Sequence, residues 1–240
     1  MICGARGRLI RRLTTAAAFV ILVVGCLSAQ EQRPAQDQPV LSKAPRIGLS
    51  AGMGVDYVNA QDIVNLVNSS GLVYDQLSDF KAGVEFFGSA SVPINEQWGI
   101  KAEYAYLLAS YNPSSAYGPA EITMVGHLPT LIVQSYLWQE ALYNLKLGVG
   151  AGYHVGILTE IAGQVNTSYT AKGLGTILDI EGNTALGEHL FAYLGVFARW
   201  DFMGTLKDEY GRTPAGLNET SPPTFHFFGV GARLGFTYYF

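Results

Sequence analysis

The chain has 240 residues and a net charge of −4, with only 14% charged residues beside 12% aromatic residues and 28 glycines. Beyond the N-terminus, no stretch of the sequence is apolar for long enough to form a membrane-spanning helix. The composition therefore leaves two classes of fold, a large soluble β-domain and a membrane β-barrel. The negative charge argues against nucleic acid as a partner.

Residues 1–29 are predicted to be a signal peptide, because four arginines precede an uncharged, mostly apolar stretch that ends in small residues. The arginines are Arg6, Arg8, Arg11 and Arg12, and the small residues are Ser28 and Ala29. Cleavage near Ala29 would release an exported chain. Two alternatives stay open: a single anchoring helix, and twin-arginine export through the adjacent Arg11 and Arg12.

Both cysteines, Cys3 and Cys26, lie in this segment. The stretch that ends at Cys26 resembles a bacterial lipobox, which would place a lipid on that residue. With cleavage near Ala29 instead, the mature chain has no thiol, which excludes disulfides, cysteine-ligated zinc and cysteine nucleophiles. Loss of the four arginines would bring the net charge to −8. We expect neither a metal site nor a cofactor.

Residues 30–45 are a polar linker that contains proline, and from residue 46 to residue 240 apolar residues recur at every second position. This period is that of strands with two different faces. In the first strand Ile47, Leu49, Ala51, Met53, Val55 and Tyr57 alternate with Gly48, Ser50, Gly52, Gly54 and Asp56. The second face is too rich in glycine for an ordinary solvated surface, and small residues suit the interior of a narrow barrel.

Seven further strands are expected near residues 80–92, 98–109, 122–137, 142–157, 174–186, 190–202 and 228–240. The fourth strand of the eight is the least regular. Ile122 and Met124 indicate one face, whereas Leu131, Val133 and Leu137 indicate the other, and Pro129 lies between them. Because proline cannot donate to a ladder, we expect a bulge or a local break in pairing at Pro129.

Connections between the strands alternate in length. Those at residues 59–79, 110–121, 158–173 and 203–223 are long, and those around residues 95–96, 139–140 and 187–188 are short. This alternation is typical of outer-membrane barrels, which have tight periplasmic turns and longer outer loops. The sequence therefore predicts an all-β fold, an eight-stranded antiparallel transmembrane β-barrel with up-and-down topology. A short helix is expected within residues 62–77, because Ile63, Leu66 and Val67 recur at helical spacing.

The last strand carries the most specific motif. Arg233, Gly235, Tyr238 and the terminal Phe240 have the spacing of the C-terminal β-signal that the outer-membrane insertion machinery reads. With the preceding strands, the chain resembles the small porin-like outer-membrane β-barrel-domain family, which includes OmpA-like transmembrane domains and the OmpX and OmpW types. The segment 127–133, with Pro129 in its centre, is similar to a middle strand of that family. The resemblance implies a fold and an outer-membrane location, and no single activity.

The polar face collects charges of both signs. The height of a residue in the barrel is estimated by counting positions along its strand from the periplasmic end. By this count seven of the charged residues come close together: Glu85, Glu103, Lys146, Asp179, Glu181, Arg199 and Arg233. An eight-stranded barrel is only wide enough to be filled by side chains, and buried charges must pair. We therefore expect an ion-pair network that plugs the lumen. A narrow gated pore is the alternative.

An enzyme is not expected. The histidines His127, His154, His189 and His226 lie on different strands without a spaced nucleophile motif, although His154 and His226 are at comparable heights and would approach each other.

Two aromatic girdles are expected at the bilayer interfaces. One comprises Trp98, Trp138, Tyr136, Tyr143, Tyr238 and Phe240, and the other Trp200, Phe202, Tyr57 and Phe225.

Residues of the outer loops are candidates for recognition or for plain solvation, namely Tyr111, Tyr117, Tyr210, Asp62, Asp75, Glu160, Asp208, Glu209 and Glu219. The predicted function is a non-enzymatic structural or surface-interaction barrel, with a channel for small or hydrophobic solutes as the alternative. Expected partners are outer-membrane lipids, lipopolysaccharide and the insertion machinery, for a protein that is a monomer. A soluble ligand-binding barrel would have the reverse polarity, with an apolar lumen and a polar exterior.

Overall fold

The computed structural model describes residues 45–69, 82–112, 114–115, 118–162, 165–214 and 222–240. Its long strands are β1 (Gly48–Asn59), β2 (Gly83–Pro93), β3 (Trp98–Tyr111), β4 (Gly118–Gln139), β5 (Tyr143–Ala162), β6 (Val165–Ala185), β7 (Leu190–Thr205) and β8 (Thr224–Tyr239). One helix, α1 (Gln61–Ser69), follows β1, and a two-residue strand, Ser114–Ser115, pairs with the start of β4. Within these ranges, no helix has both the length and the hydropathy to cross a bilayer.

Several sequence-based predictions fall outside the described residues and are not tested there. They are the signal peptide at 1–29, residues 30–44 of the linker, and the residues Cys3, Cys26, Asp75, Tyr117 and Glu219.

The strands form a closed antiparallel ring. Each strand pairs with its neighbour along the chain, and β1 pairs with β8 from Gly48 opposite Tyr239 to Asn59 opposite Phe228. Closure leaves no open edge along the shared length of the ring. The eight-stranded up-and-down barrel predicted from the sequence is confirmed. We call the end that carries the turns at 94–97, 140–142 and 186–189 the turn end, and the opposite end, beside α1, the loop end.

The walls of the barrel have an inverted polarity. Along β1, Leu49, Met53 and Val55 are exposed on the outside, whereas Asp56 on the inside is fully buried. The other strands follow the same alternation, so large apolar side chains cover the exterior. The glycines of the inner face make room for this narrow lumen. A Cβ on Gly150 would lie 2.6 Å from the Ile132 side chain.

Strands β5 and β6 are longer at the loop end than the sequence pattern indicated. The predicted long connection at 158–173 is wrong, because β5 runs on to Ala162 and β6 starts at Val165, with an unbroken register between them. Polar pairs sustain this hairpin, such as Thr159 Oγ1 and Ser168 Oγ at 2.8 Å. A ladder can continue with polar residues on its exposed face, so apolar alternation underestimates its length.

At Pro129 the sequence predicted a bulge or a local break in pairing, and the structure has the break without a bulge. The register of β4 with β5 is the same on both sides of Pro129, although the ladder has no pairs at Leu128 and Pro129 on that side. The expected local break in pairing is therefore present. The register shift lies instead near the turn end, between Tyr136 and Trp138. Pro129 itself is paired with Tyr104 on the β3 side.

Helix α1 lies at the loop end and is amphipathic. Its first turn is set by Ala60, whose carbonyl accepts hydrogen bonds from the backbone N–H groups of Ile63 and Val64, both at 3.1 Å. Ile63, Val64, Leu66 and Val67 are buried. The hydroxyl of Thr224 in β8 donates to Asp62 at 2.5 Å and ties the helix to the barrel wall. The helix predicted from the spacing of its apolar residues is confirmed.

Candidate functional site

The lumen of the barrel is filled by two layers of side chains. Toward the turn end lies a polar layer with ten buried charged residues: Asp56, Glu85, Lys101, Glu103, Lys146, Asp179, Glu181, Arg199, Asp201 and Arg233. Toward the loop end lies an apolar layer, which consists of α1 and the inward residues Val58, Leu107, Ala109, Ile122, Met124, Leu128, Leu158, Ala171, Met203, Phe225 and Phe227. The inner face of the strands thus changes from charged to apolar along their length.

Arg233 of β8 is the first centre of the polar layer. Its Nε lies 2.6 Å from Glu85 Oε1, and its Nη1 lies 2.9 Å from Glu103 Oε1. Glu85 also accepts a hydrogen bond from Arg199 Nη2 at 2.7 Å. Arg199 reaches Asp56 at 3.4 Å. These contacts join β1, β2, β3, β7 and β8 across the lumen.

Lys101 of β3 is the second centre. Its Nζ lies 2.5 Å from Asp179 Oδ2, 3.1 Å from Glu181 Oε2 and 3.3 Å from Glu103 Oε2. Glu181 in turn accepts a hydrogen bond from Lys146 at 2.8 Å. Through Glu103, which contacts both Lys101 and Arg233, the two centres form one continuous network.

The structure brings together all seven residues that the sequence placed in a lumen network. Three charged residues of the layer lie outside that set: Asp56, Lys101 and Asp201. The uncharged Gln134 and Asn183 also donate to Glu181, at 3.0 and 2.8 Å. The three charged residues already stood on the polar faces of their predicted strands. Height counting missed them because long side chains bridge strands that are several positions apart in height.

Both ends of the filled lumen are covered. At the turn end, the rings of Phe191 and Tyr239 meet edge to face at 4.9 Å, and the Arg46 guanidinium lies 5.4 and 5.3 Å from them. Lys146 Nζ lies 5.6 Å from the Tyr136 ring and 3.1 Å from the Tyr239 hydroxyl. At the loop end, the apolar face of α1 covers the apolar layer. Between these two ends, the charged side chains of the polar layer are buried from water.

A histidine lies at the boundary between the two layers. His154 of β5 is fully buried, its Nδ1 contacts Asp201 Oδ1 of β7, and its Nε2 lies 3.0 Å from Thr130 Oγ1 of β4. Space for the ring comes from Gly175, where a Cβ would collide with His154 and would lie 2.6 Å from Asp201 Oδ1. The three side chains therefore connect β4, β5 and β7, and the contact between β5 and β7 passes over Gly175 of the intervening β6.

The predicted approach of His154 and His226 is wrong. His226 pairs with Phe202, its ring lies tilted 6.3 Å from the Phe202 ring, and it is exposed on the outside of the barrel. Equal height does not bring two residues together when their positions place them on opposite faces of the wall.

Threonine, histidine and aspartate in this order are similar to a nucleophile, base and orienting acid. The Thr130 hydroxyl has two acceptors within reach, His154 Nε2 at 3.0 Å and the Leu128 carbonyl oxygen at 3.2 Å. All three side chains are also buried inside the lumen. No group of three or more His, Cys, Asp or Glu in the described ranges is arranged to hold a metal ion.

The C-terminal motif lies on the wall. Gly235 faces Gly52, and its Cβ would collide with the Ala51 carbonyl, so the close pairing of β8 with β1 requires glycine there. Tyr238 and Phe240 are exposed on the outside with their rings 5.1 Å apart.

The girdle prediction is wrong for two residues. Phe225 is fully buried in the apolar layer, and the ring of Tyr136 packs against Lys146.

A structured, charged turn follows β7 at the loop end. Asp208 accepts hydrogen bonds from the backbone N–H groups of Tyr210 and Arg212 at 2.9 and 2.8 Å, and from Arg212 Nε at 2.7 Å. Desolvation opposes the effect, but these hydrogen bonds lower the pKa of Asp208 below its ordinary value. Gly211 has a φ of 78°, a conformation that favours glycine. Tyr210 is exposed beside the Arg212 guanidinium.

No protein-family model matches the sequence, and no curated protein matches it. Solved structures with a similar fold include Ail, the attachment invasion locus protein of Yersinia pestis, with 12% identity over 82% of this chain and 99% of that one and a TM-score of 0.49. Neisserial surface protein A has 11% identity over 83% and 98%, with a TM-score of 0.45. OprG from Pseudomonas aeruginosa has 12% identity over 82% and 96%, with a TM-score of 0.42. No function follows from likenesses at this level.

Proposed function

We propose that this protein is a bacterial outer-membrane β-barrel whose closed lumen makes it a rigid, non-enzymatic anchor for a surface displayed at the loop end. The observation that carries the proposal is the inverted polarity of the wall: ten charged side chains are buried inside, while large apolar side chains are exposed outside. This arrangement would be unfavourable in a soluble barrel, because its apolar exterior would be in contact with water.

The size of the apolar exterior fits a bilayer. On β7 the exposed apolar residues run from Leu190 to Phe202. At about 3.3 Å per residue and a tilt of about 40°, this segment spans about 30 Å along the barrel axis, close to the apolar band of outer-membrane barrels. Exposed aromatic rings lie at both ends of the band, with Trp98, Trp138 and Tyr143 at the turn end and Trp200 and Phe202 at the loop end.

The filling of the lumen supports a plug. Each of the four buried cations contacts at least one carboxylate, and Arg233 and Lys101 contact several. Opening a path would separate charges that lie almost outside the reach of water, and separating a buried ion pair costs about 3–5 kcal/mol. The network therefore favours a static seal over a pore that opens thermally.

The projecting strands at the loop end support a role in surface interaction. β4, β5 and β6 continue as a paired sheet beyond the apolar layer, and the turn at Asp208 presents Tyr210 and Arg212. A rigid scaffold that displays such elements is a common basis for recognition. Outer-membrane lipids and lipopolysaccharide are the proposed surroundings. The outer-membrane insertion machinery is the proposed reader of Gly235, Tyr238 and Phe240, and the barrel is proposed to act as a monomer.

The test has two steps. The chain is refolded in detergent, and unboiled and boiled samples are compared on a denaturing gel, where a closed membrane barrel shifts in mobility on boiling. The refolded protein is then inserted into planar bilayers. We expect no steady conductance from the unchanged chain. Solubility without detergent would overturn the membrane assignment, and steady conductance that Arg199→Ala or Arg233→Ala alters would overturn the plug.

A second function, a narrow channel for small or hydrophobic solutes, is favoured by one observation. The loop-end half of the lumen is lined by apolar residues such as Met124, Leu128 and Phe227. An apolar solute would meet no desolvation penalty there. It would still have to displace α1 and pass the polar layer, which is why the anchor is the preferred function. Uptake of a hydrophobic dye into vesicles that carry the barrel would reverse this preference.

A further inference from the structure

A β-bulge at the loop end of β7 changes which residues of the following chain face outward. Gly173 of β6 pairs with Met203, and Thr170 pairs with Lys207, so three steps along β6 lie opposite four steps along the other chain segment. The extra residue reverses the alternation of the two faces. Met203 and Leu206 are both fully buried in the apolar layer, and Lys207 is exposed on the outside. A bulge re-aims side chains in this way.

The bulge places Lys207 beside a second lysine. The Thr170 N–H donates to the Lys207 carbonyl at 2.8 Å, and the Lys207 N–H donates to the Thr170 carbonyl at 3.1 Å. Lys172 lies two positions along β6 from Thr170, on the same outward face, and is exposed. Diagonal neighbours on two antiparallel strands are about 7–8 Å apart, within the reach of long side chains. The two ammonium groups can therefore converge on one ligand.

Neither lysine is neutralised by a neighbouring carboxylate. Among the ion pairs of the described residues, none includes Lys172 or Lys207. Asp208, which follows Lys207 directly, is paired with Arg212 at 2.7 Å. Like charges that lie side by side on one face of a sheet are unfavourable. An anion from outside the chain would relieve this repulsion.

The two lysines lie at the edge of the apolar band. Tyr153, Leu174 and Phe202 pair in one row across β5, β6 and β7, and each is more than half exposed. Lys172 is the next outward residue of β6 toward the loop end, about 7 Å along the strand from Leu174. Exposed aromatic rings of a membrane barrel mark the bilayer interface. The lysines are therefore at the height of the lipid head groups.

Exposed positive charge is concentrated at this place. Of the lysines and arginines that the structure describes, the exposed ones are Lys172, Lys207 and Arg212, and all three lie at the loop end of β6 and β7. Four others are buried in the polar layer, and Arg46 at the turn end is half-buried. The described part of the wall thus has one exposed cationic patch, and this patch is next to the apolar band.

We propose that Lys172 and Lys207 form a site on the outer wall for the phosphate group of a phosphorylated lipid in the surrounding leaflet. The proposal rests on the outer-membrane location proposed above and names the lipid group that this part of the wall binds. A phosphate has several strong acceptor oxygens, so it accepts charge-assisted hydrogen bonds from both ammonium groups. The acyl chains of the same lipid would cover the apolar row beside the lysines. A soluble acidic polymer would leave that row uncovered.

The direct test is binding of diphosphoryl lipid A to the refolded full chain in micelles of an uncharged detergent, measured by native mass spectrometry. We expect Lys172→Gln and Lys207→Gln each to weaken binding about fivefold, the effect of one surface lysine on the attraction of anionic lipid. Lys172→Arg and Lys207→Arg keep the charge and should keep the affinity. Unchanged affinity in both glutamine variants would overturn the proposal.

Arg212→Gln is the matched control, because it removes an exposed cation that Asp208 already neutralises. We expect it to change the affinity for lipid A by less than about twofold, as is usual for an exposed ion pair. An equal loss in Arg212→Gln and in the two lysine variants would show that only the net charge matters, and would overturn the site.

Two further comparisons identify the ligand. Phosphatidylcholine has no net charge, so it should bind equally to the unchanged chain and to the glutamine variants, and a lysine dependence there would contradict recognition of an anionic phosphate. A soluble sulfated polysaccharide should compete weakly with lipid A. If it binds through the two lysines more tightly than lipid A does, the partner is an acidic polymer and the proposal is wrong.

The mobility shift on boiling is recorded for every variant, so a failure of the site can be distinguished from a failure of the proposed function. A chain that is soluble without detergent would overturn the membrane location and the lipid site together. A barrel that shifts on boiling but binds lipid A independently of Lys172 and Lys207 would overturn the lipid site alone.

Discussion

The two layers of the lumen solve the same problem with opposite chemistry. In the polar layer, Arg233 and Lys101 are held by directional contacts to several carboxylates, so every member depends on its partners. In the apolar layer, residues such as Leu107 and Met124 belong to one buried apolar cluster with the apolar residues of α1, and such packing needs no directional partner. The difference teaches that a charged layer specifies one arrangement, whereas an apolar layer needs only a filled volume.

The largest effect is expected where a buried cation is removed. Arg233→Ala leaves Glu85 and Glu103 without their shared partner, and loss of one member of a buried ion pair costs about 3–5 kcal/mol. Urea unfolding of the refolded protein measures this cost. The control is Arg212→Ala, which removes a guanidinium that is 72% exposed and should cause no measurable change. Equal destabilisation by both variants would mean that burial of the network does not matter.

A loss of about 3 kcal/mol is expected in the apolar layer for Leu66→Ala, because truncation of a buried leucine removes apolar contacts and leaves a cavity. Leu66 is 2% exposed on the inner face of α1. The exposed Asn65 on the same helix provides the control, and Asn65→Ala should change the free energy of unfolding by less than about 0.5 kcal/mol. If both substitutions are neutral in urea unfolding, α1 does not hold the loop end closed.

A comparison along the outer face tests where the bilayer lies on the barrel. Val149 of β5 is 61% exposed on the outside, near the middle of the apolar band. Val149→Arg should cost about 2–4 kcal/mol in lipid vesicles, since a cation at the bilayer midplane is unfavourable. Asn166→Arg, on the projecting part of β6, should be tolerated. A reversed order of these two stabilities would place the bilayer elsewhere on the barrel.

The smallest effect is expected at the boundary of the layers. Gly175→Ala places a methyl group against His154 and Asp201, and overpacking of this kind costs about 1–3 kcal/mol. Gly182 on the same strand provides the control, because its Cβ would have only the Leu194 carbonyl within reach, at 3.8 Å. The difference between the two alanine variants in urea unfolding isolates crowding from the general effect of replacing glycine. A difference near zero would show that His154 can move aside.

The sequence predicted the inner and outer faces correctly where the two faces of a strand differ in polarity. In β1 and β8, charged or glycine positions alternate with apolar positions, so the residue pattern alone assigns the inner and outer faces. The seven network residues were found in this way, because a charge opposite an apolar face points to the lumen of a membrane barrel. The same contrast placed Asp56 and Lys101 on the inner face, but it carries no information about their partners across the lumen.

Prediction failed where the inner face is the more apolar one. At the loop end of β4 and β8, inward Ile122 and Phe225 alternate with polar outward neighbours, namely Glu121, Thr123, Thr224 and His226, so alternation indicates the wrong face. This is why Phe225 was assigned to a girdle and why the apolar pattern of β4 indicated a change of face at Pro129. In the structure the face stays the same, and only the chemistry of the lumen changes.

The sequence by itself determined the strand number and, along most of the wall, which residues face the lumen, because these depend on local period and on residue type. Only the tertiary structure decided that Lys101 and Arg233 are the centres of the network, that α1 closes the loop end and that His154 contacts Asp201. These contacts depend on the tilt and stagger of strands around a closed ring. That geometry brings together residues far apart in the chain, and no local pattern of residues contains it.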